Sequence, residues 1–130
     1  MTKTEAKTAR QKKSPRLPAQ VDLAVAAAEA KQAVNIVALD LRKAAGFTDF
    51  FLIASGTNTR QVRAIADAVM ESLAGTGVKP AYVEGYDRSE WILLDYFDFI
   101  VHVFAPETRV FYDLERLWGN AERIAVTATP

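Results

Sequence analysis

The segment Phe50–Ser55 (FFLIAS) limits the possible folds of this chain more than any other. It is apolar except for its last residue, and a strand of this kind is typical of a sheet centre that is covered on both faces. A turn through Asn58 and an amphipathic helix of about 16 residues follow, ending near Gly75, and Lys79–Glu84 then resembles a further strand. Strand, helix and strand in this order favour a right-handed crossover between parallel strands. The pattern therefore predicts an α/β domain.

The rest of the chain supplies the other elements of that domain. Short segments rich in β-branched and aromatic residues predict three further strands, at Asn35–Leu41, Trp91–Tyr96 and Asp98–Ala105. Helices are predicted over Ala19–Ala33 and after Pro106. The buried stripe of the last helix is predicted to be Phe111, Leu114, Leu117 and Trp118. Short connections imply antiparallel neighbours, so we predict a single α/β domain with a mixed sheet of about five strands and helices mainly on one side.

Length and composition define the expected domain boundaries. A chain of 130 residues is long enough for one domain with its own core. Residues 1–18 are predicted to be a disordered basic tail, residues 19–120 the folded domain, and residues 121–130 a flexible C-terminal tail. There is no membrane-spanning apolar run and no secretory signal, so a cytoplasmic protein is expected. The lack of cysteine excludes disulfides, thiolate nucleophiles and cysteine metal sites.

The formal net charge of zero is unevenly distributed along the chain. The first 18 residues hold six basic groups and one acidic group, a net charge of +5, whereas the other 112 hold 10 basic and 15 acidic groups, a net charge of −5. Because nucleic-acid affinity comes largely from phosphate neutralisation, the acidic part suits a basic protein partner better than RNA. The basic tail has no aromatic residue for base stacking, which favours a solvated extension; weak contact with RNA is the alternative.

The turn Ser55–Asn58 between a strand and a helix has two interpretations. The free N–H groups at the helix start could bind an anion, with help from Arg60. Alternatively, Gly56 makes a tight turn while Thr57 or Asn58 caps the helix; without a glycine-rich fingerprint or a P-loop lysine, capping is favoured. Nucleotidyl transfer would need paired carboxylates for magnesium, and no Asp-x-Asp pattern follows the turn. We therefore predict no catalytic residue, metal site or cofactor.

Two aromatic residues near the predicted strands are candidates for function. His102 is the only histidine, and Asp40, Asp95 or Asp98 could orient it as a general base. A single histidine among apolar strand residues is more often structural, and no serine elbow accompanies it. Trp91 opens a strand after a polar loop, and tryptophan is enriched at binding hot spots; a core tryptophan is equally compatible with the sequence.

The alternation of side-chain directions along these two strands is a second indication of a binding function. Trp91, Leu93 and Asp95 share one face of their strand, and residues 98, 100, 102 and 104 share one face of the next. Apolar side chains occur on both faces of the pair. Since so short a chain is not expected to cover both faces with its own helices, we predict that a partner covers the remaining apolar surface.

Several long motifs resemble the ribosomal silencing factor family, also called the Iojap-like family. They are NIVALDLR, FTDFFLIASGTNTRQVRAIADAV and VEGYDRSEWILLDYFDFIVHVFAPETRVFYDLERLWG, and the resemblance covers about residues 20–120. It implies a nucleotidyltransferase-like fold without the catalytic carboxylates. It also implies a non-enzymatic factor that binds the large ribosomal subunit through ribosomal protein L-fourteen, blocks joining of the small subunit and represses translation. The sequence departs from the family at Phe97, where a glycine is usual.

The resemblance places the family's contact tryptophan at Trp91. Together with the same-face neighbours, and a weaker candidate on the last helix, the expected partner-binding residues are Trp91, Leu93, Asp95, Asp98, His102 and Tyr112. The carboxylates would face basic side chains of the partner, and the tryptophan would be the desolvated anchor. Two other functions stay open: a nucleotide-binding enzyme that uses the Ser-Gly-Thr turn, and a homodimer that pairs through the same strand face.

Overall fold

The computed structural model describes residues 17–126. In chain order its elements are α1 (Ala19–Ala30), β1 (Val34–Asp40), β2 (Phe50–Ser55), α2 (Thr59–Ala74), β3 (Tyr82–Glu84), β4 (Trp91–Asp95), β5 (Phe99–Phe104), α3 (Pro106–Tyr112), α4 (Leu114–Leu117) and β6 (Glu122–Ile124). The strands form one six-stranded sheet in the order β3-β4-β5-β2-β1-β6. Only β2 and β5 pair in parallel, and the other neighbours are antiparallel. The predicted mixed α/β sheet is confirmed.

The two parallel strands lie at the centre of the sheet, and every residue in them is buried. Phe50 is opposite Phe99, and Ser55 is opposite Phe104. Burial on both faces explains why both strands are almost continuously apolar. After β2, helix α2 carries the chain to the far edge of the sheet, where β3 runs in the same direction as β2 but is separated from it by β4 and β5. The parallel neighbour of β2 is therefore β5, not the strand that follows the helix.

Helices α1 and α2 cover one face of the sheet with apolar stripes at helical spacing. The fully buried residues of α2 are Val62, Ile65, Ala66, Val69 and Leu73. Each of the four larger side chains, which are all except Ala66, stabilises the fold by roughly 1.5–3 kcal/mol through its removal from water. Leu17 joins this core at 6% exposure, so the predicted tail through residue 18 is wrong at its end. The rest of that predicted tail, residues 1–16, lies outside the described residues.

The opposite sheet face, called the open face below, is covered less completely. Its buried cluster is Leu39, Leu41, Phe51, Ile53, Ile100, Phe104 and Leu114. The partly buried Trp91, Leu93 and Trp118 pack around that cluster. Because the long helices lie on the other face, the prediction of helices mainly on one side is confirmed.

The predicted last helix is broken into two short helices. Asp113, between α3 and α4, has a φ of 48°, in the left-handed region, and this ends the regular helical rotation. Leu114 is buried as predicted, but Phe111 is 77% exposed and Leu117 is 69% exposed. The predicted buried stripe is therefore wrong for these two residues, because a 3.6-residue period describes one face only in an unbroken helix.

The predicted C-terminal tail contains the sixth strand. Residues Glu122–Ile124 form β6, which pairs with β1 and places Ile124 opposite Ala38. Ile124 is buried in the main core. Three residues are too few for a strand pattern in the sequence, and pairing with the edge of β1 decides their conformation. Residues 127–130 lie outside the described part of the chain. Between residues 17 and 126 no helix is both long enough and apolar enough to cross a bilayer.

Candidate partner-binding site

The candidate site is built across the antiparallel pair β4 and β5. Trp91 is opposite Phe104, and Leu93 is opposite His102, so these side chains lie on the same face of the sheet. In β4 the even-numbered residues are buried, whereas Trp91, Leu93 and Asp95 are only partly buried. The alternation therefore directs the first set into the helix-covered core and the second toward the open face.

Trp91 is held by contacts on several sides. Its ring stacks on Phe104, with 4.9 Å between ring centroids, and lies 4.8 Å from the ring of Tyr112. Its indole Nε1 donates a hydrogen bond to Nδ1 of His102 at 3.0 Å. Trp91 is neither a fully buried core residue nor a freely exposed one. It is an ordered aromatic side chain at the rim of the open face.

His102 is 3% exposed and lies among aromatic rings. The ring of Phe51 is edge-on to it at 4.4 Å. Because burial disfavours the charged imidazolium, the pKa of His102 is lowered from 6.5 to about 3. Nδ1 accepts from Trp91, so the neutral ring carries its proton on Nε2, which has no hydrogen-bond partner. Neither ring nitrogen bonds to a carboxylate, and the arrangement therefore lacks the oriented base that nucleophilic catalysis requires.

The structure brings together four of the six predicted partner-binding residues: Trp91, Leu93, His102 and Tyr112. Asp95 is at the other end of β4, and four residue steps along an extended strand correspond to roughly 13 Å. Its Oδ1 accepts the N–H of Phe97 at 2.8 Å and so supports the hairpin turn. Asp98 is exposed in that turn and belongs to no strand. The two carboxylates thus form a separate acidic end of the hairpin.

A group of exposed apolar residues near Trp91 contains Tyr112, which was predicted, and three residues that sequence reasoning missed. This exposed ridge consists of Val110, Phe111, Tyr112 and Leu117 on α3 and α4. Tyr112 contacts Trp91, so the ridge continues the aromatic cluster. Consecutive large apolar residues at positions 110–112 were the available signal, because successive residues lie about 100° apart around a helix and cannot all face one core.

The Ser55–Asn58 turn caps α2, as the favoured interpretation predicted. Asn58 Oδ1 accepts the N–H of Gln61 at 2.9 Å, and the side chain of Gln61 accepts the N–H of Thr57. A Cβ added at Gly56 would lie 2.9 Å from the backbone nitrogen of Val62. The glycine is therefore needed because the helix start approaches the turn closely.

A cleft of about 700 Å³ lies at the carboxyl ends of β2 and β5, where open α/β sheets commonly bind ligands. Its buried cation, Arg109, donates to Ser55 Oγ at 2.9 Å and to Glu115 Oε2 at 2.7 Å. The hydrogen bond from Arg109 lowers the pKa of Glu115. Arg123 also approaches this carboxylate, at 3.9 Å. Arg109, Ser55 and Glu115 are thus engaged within the cleft. The described residues hold no three acidic or histidine side chains grouped for a metal ion.

Comparison with known proteins agrees with this architecture. A family model described as "Ribosomal silencing factor during starvation" matches residues 14–130. The ribosomal silencing factor of Halalkalibacterium halodurans is 38% identical over 104 residues, which is 80% of this chain and 89% of that protein. A mouse protein named "Mitochondrial assembly of ribosomal large subunit protein 1" is 29% identical over 75% of this chain but only 44% of its own length. A crystal structure of a Chromobacterium violaceum protein superposes with a TM-score of 0.75 at 34% identity, covering 85% of this chain and 91% of that one.

The fold and the site first define a class: an α/β domain with an open mixed sheet and an ordered aromatic cluster at the rim of its less covered face. The family match then makes the identification specific, because it spans nearly the whole chain. This chain belongs to the ribosomal silencing factor family.

Proposed function

We propose that this protein binds the large ribosomal subunit through ribosomal protein L-fourteen and sterically blocks joining of the small subunit. The observation that best supports the proposal is Trp91, a partly exposed aromatic side chain fixed by Phe104, Tyr112 and His102. Hot-spot residues of interfaces are typically large aromatic side chains in well-packed surroundings. A side chain that is already ordered loses little conformational entropy on binding.

Charge supports a basic protein as the partner. The part of the chain after residue 18 has a net charge of −5, which favours encounter with a positively charged surface and disfavours direct binding of RNA. Asp95 and Asp98 lie roughly 13 Å or more from Trp91 along the hairpin. The proposed contact is therefore elongated, with an aromatic anchor at one end and an acidic end for basic side chains at the other.

The proposed factor is not an enzyme. At the carboxyl ends of the parallel strands, Arg109 donates hydrogen bonds to both Ser55 and Glu115. The polar groups that a nucleotide would need are engaged internally, and the Ser-Gly-Thr turn serves the helix cap. The alternative of a nucleotide-binding enzyme predicts stabilisation against heat by nucleotide and magnesium, and a flat response over a nucleotide panel would remove it.

Co-sedimentation with purified large subunits tests the proposed contact. Trp91→Ala is expected to weaken binding about thirtyfold, the equivalent of a hot spot of about 2 kcal/mol. The matched control is Trp118→Ala, since Trp118 lies against Phe47 and Phe51 elsewhere on the open face and is expected to leave binding within about threefold of wild type. Equal binding by wild type and Trp91→Ala would contradict the assignment of the anchor.

The blocking step needs a separate measurement. Wild-type protein in excess is expected to shift joined ribosomes toward free subunits in a density gradient, and Trp91→Ala is not. Unchanged joining in the presence of bound protein would refute the steric mechanism while keeping the contact. A cytoplasmic location and a weak contact of the basic tail with RNA belong to the same proposal.

The exposed ridge favours a homodimer as a second candidate. Its four apolar side chains are each at least 50% exposed, and apolar patches of this kind self-associate. Light scattering that shows a monomer at high concentration would dismiss this candidate.

A further inference from the structure

A buried hydrogen bond connects the proposed anchor to the strand behind it. Trp91 Nε1 donates to Nδ1 of His102 at 3.0 Å, and His102 is 3% exposed. The ring of His102 is itself fixed by Phe51 at 4.4 Å and by its place opposite Leu93 in the sheet. An indole N–H that loses its acceptor in such surroundings must turn toward water or stay unpaired.

We propose that His102 is a positioning residue, which holds the Trp91 indole in its binding orientation and does not itself touch the partner. This inference rests on the proposed function, in which Trp91 anchors the protein on the large subunit. At 3% exposure, His102 has almost no surface to offer to a docking protein. Its Nδ1 faces Trp91, and its Nε2 is enclosed without a hydrogen-bond partner.

The same bond limits how a partner can use Trp91. Because the indole N–H is already satisfied by His102, the part of the ring left for the partner is apolar. Phe104 stacks on the ring, and Tyr112 packs beside it. The matching group on a basic protein is the aliphatic stem of a lysine or the stem and plane of an arginine. A hydrogen-bond acceptor of the partner would have to compete with His102 for the single indole donor.

Two substitutions separate the hydrogen bond from packing. In His102→Asn, the amide oxygen is attached to Cγ as Nδ1 is, so the acceptor is kept. In His102→Leu, the side chain has the same branched shape as asparagine and no acceptor. If His102 has a purely structural role, the leucine variant is expected to bind large subunits more tightly than the asparagine variant, because the asparagine buries an amide without full hydrogen bonding. A positioning role predicts the reverse order for binding.

The experiment measures the indole N–H resonance of Trp91 by ¹⁵N–¹H NMR and the affinity of each variant for purified large subunits by co-sedimentation. The resonance is assigned by its loss in Trp91→Phe. His102→Asn is expected to keep a hydrogen-bonded indole signal and to bind within about threefold of wild type. His102→Leu is expected to shift that signal and to bind about tenfold more weakly, since one hydrogen bond contributes about that factor.

Either of two results would overturn the inference. An affinity of the leucine variant equal to or higher than that of the asparagine variant would do so whatever their indole signals show, because keeping the acceptor would then give no advantage in binding. Failure of wild-type protein to bind large subunits would refute the proposed function, and the positioning role would fall with it. The affinity of wild type thus distinguishes the two failures.

Discussion

The stability of this protein is expected to fall by about 2 kcal/mol between pH 8 and pH 5 because of His102 alone. The folded protein keeps the ring neutral, since burial lowers the pKa of His102 from 6.5 to about 3. The unfolded chain titrates near the ordinary value, so it binds a proton below pH 6.5 that the folded protein does not bind. Stability from this residue is therefore complete above about pH 6.5 and is lost as the pH falls toward 3.

The size of the effect follows from how far the pH lies below the pKa of His102 in the unfolded chain. Each unit below the unfolded pKa costs about 1.36 kcal/mol, and pH 5 lies about 1.5 units below it. The chain has no other histidine, so no second imidazole contributes. The pKa of Glu115 is lowered from 4.5, so its contribution is nearly constant above pH 5 and is lost only in more acidic solution. A loss of about 2 kcal/mol is a large part of the 5–15 kcal/mol typical of a domain.

Urea unfolding at pH 8, 6.5 and 5, followed by tryptophan fluorescence, measures the change in the free energy of unfolding. The matched variant is His102→Leu, which removes the titrating group and is expected to keep its stability within about 0.5 kcal/mol over the same range. Two results would refute the reasoning: a wild-type stability that does not change with pH, or a leucine variant whose stability falls as steeply as that of wild type.

Three further substitutions test other parts of the structure. Gly85→Ala is expected to destabilise the fold by about 3 kcal/mol, because Gly85 has a φ of +81° and the new Cβ would clash with the carbonyl oxygen of Trp91. Thermal unfolding measures the loss, and Gly46→Ala is the control because the space around Gly46 is open. Phe97→Gly is expected to raise stability by about 0.5 kcal/mol, because a φ of 71° is strained for an exposed phenylalanine. The gain is small because glycine loses more backbone entropy on folding. A lower urea midpoint would contradict this prediction. Arg109→Met is expected to cost about 3 kcal/mol, because the partly buried carboxylate of Glu115 then keeps only the longer contact with Arg123 at 3.9 Å. An added Glu115→Gln is expected to recover part of the loss in a double-mutant cycle.

Much of the fold could be predicted because local patterns determine it. The apolar run of β2, the stripe of α2 and the cap at Asn58 each depend on residues close together in sequence. The alternation in β4 also predicts which side chains leave the helix-covered core. The partial exposure of Trp91 could not be predicted, because it depends on tertiary contacts with Phe104 on the neighbouring strand and with Tyr112 on α3.

The candidate site was only partly predictable for the same reason. Alternation places Asp95 on the same face as Trp91, but the direction of the hairpin puts it at the opposite end. The left-handed Asp113 breaks the last helix, so the spacing that predicted one buried stripe through Phe111, Leu114 and Leu117 does not apply.

The sequence by itself determined the α/β class, the central strand, the capped helix and the family. Only the tertiary structure decided that the chain ends its sheet with β6, that Trp91 and His102 share a hydrogen bond, and that the acidic residues form a separate end. The physical reason is that periodicity along the chain specifies the face on which a side chain lies. Its distance from side chains on other strands is set by the order, direction and register of strand pairing, which no single segment contains.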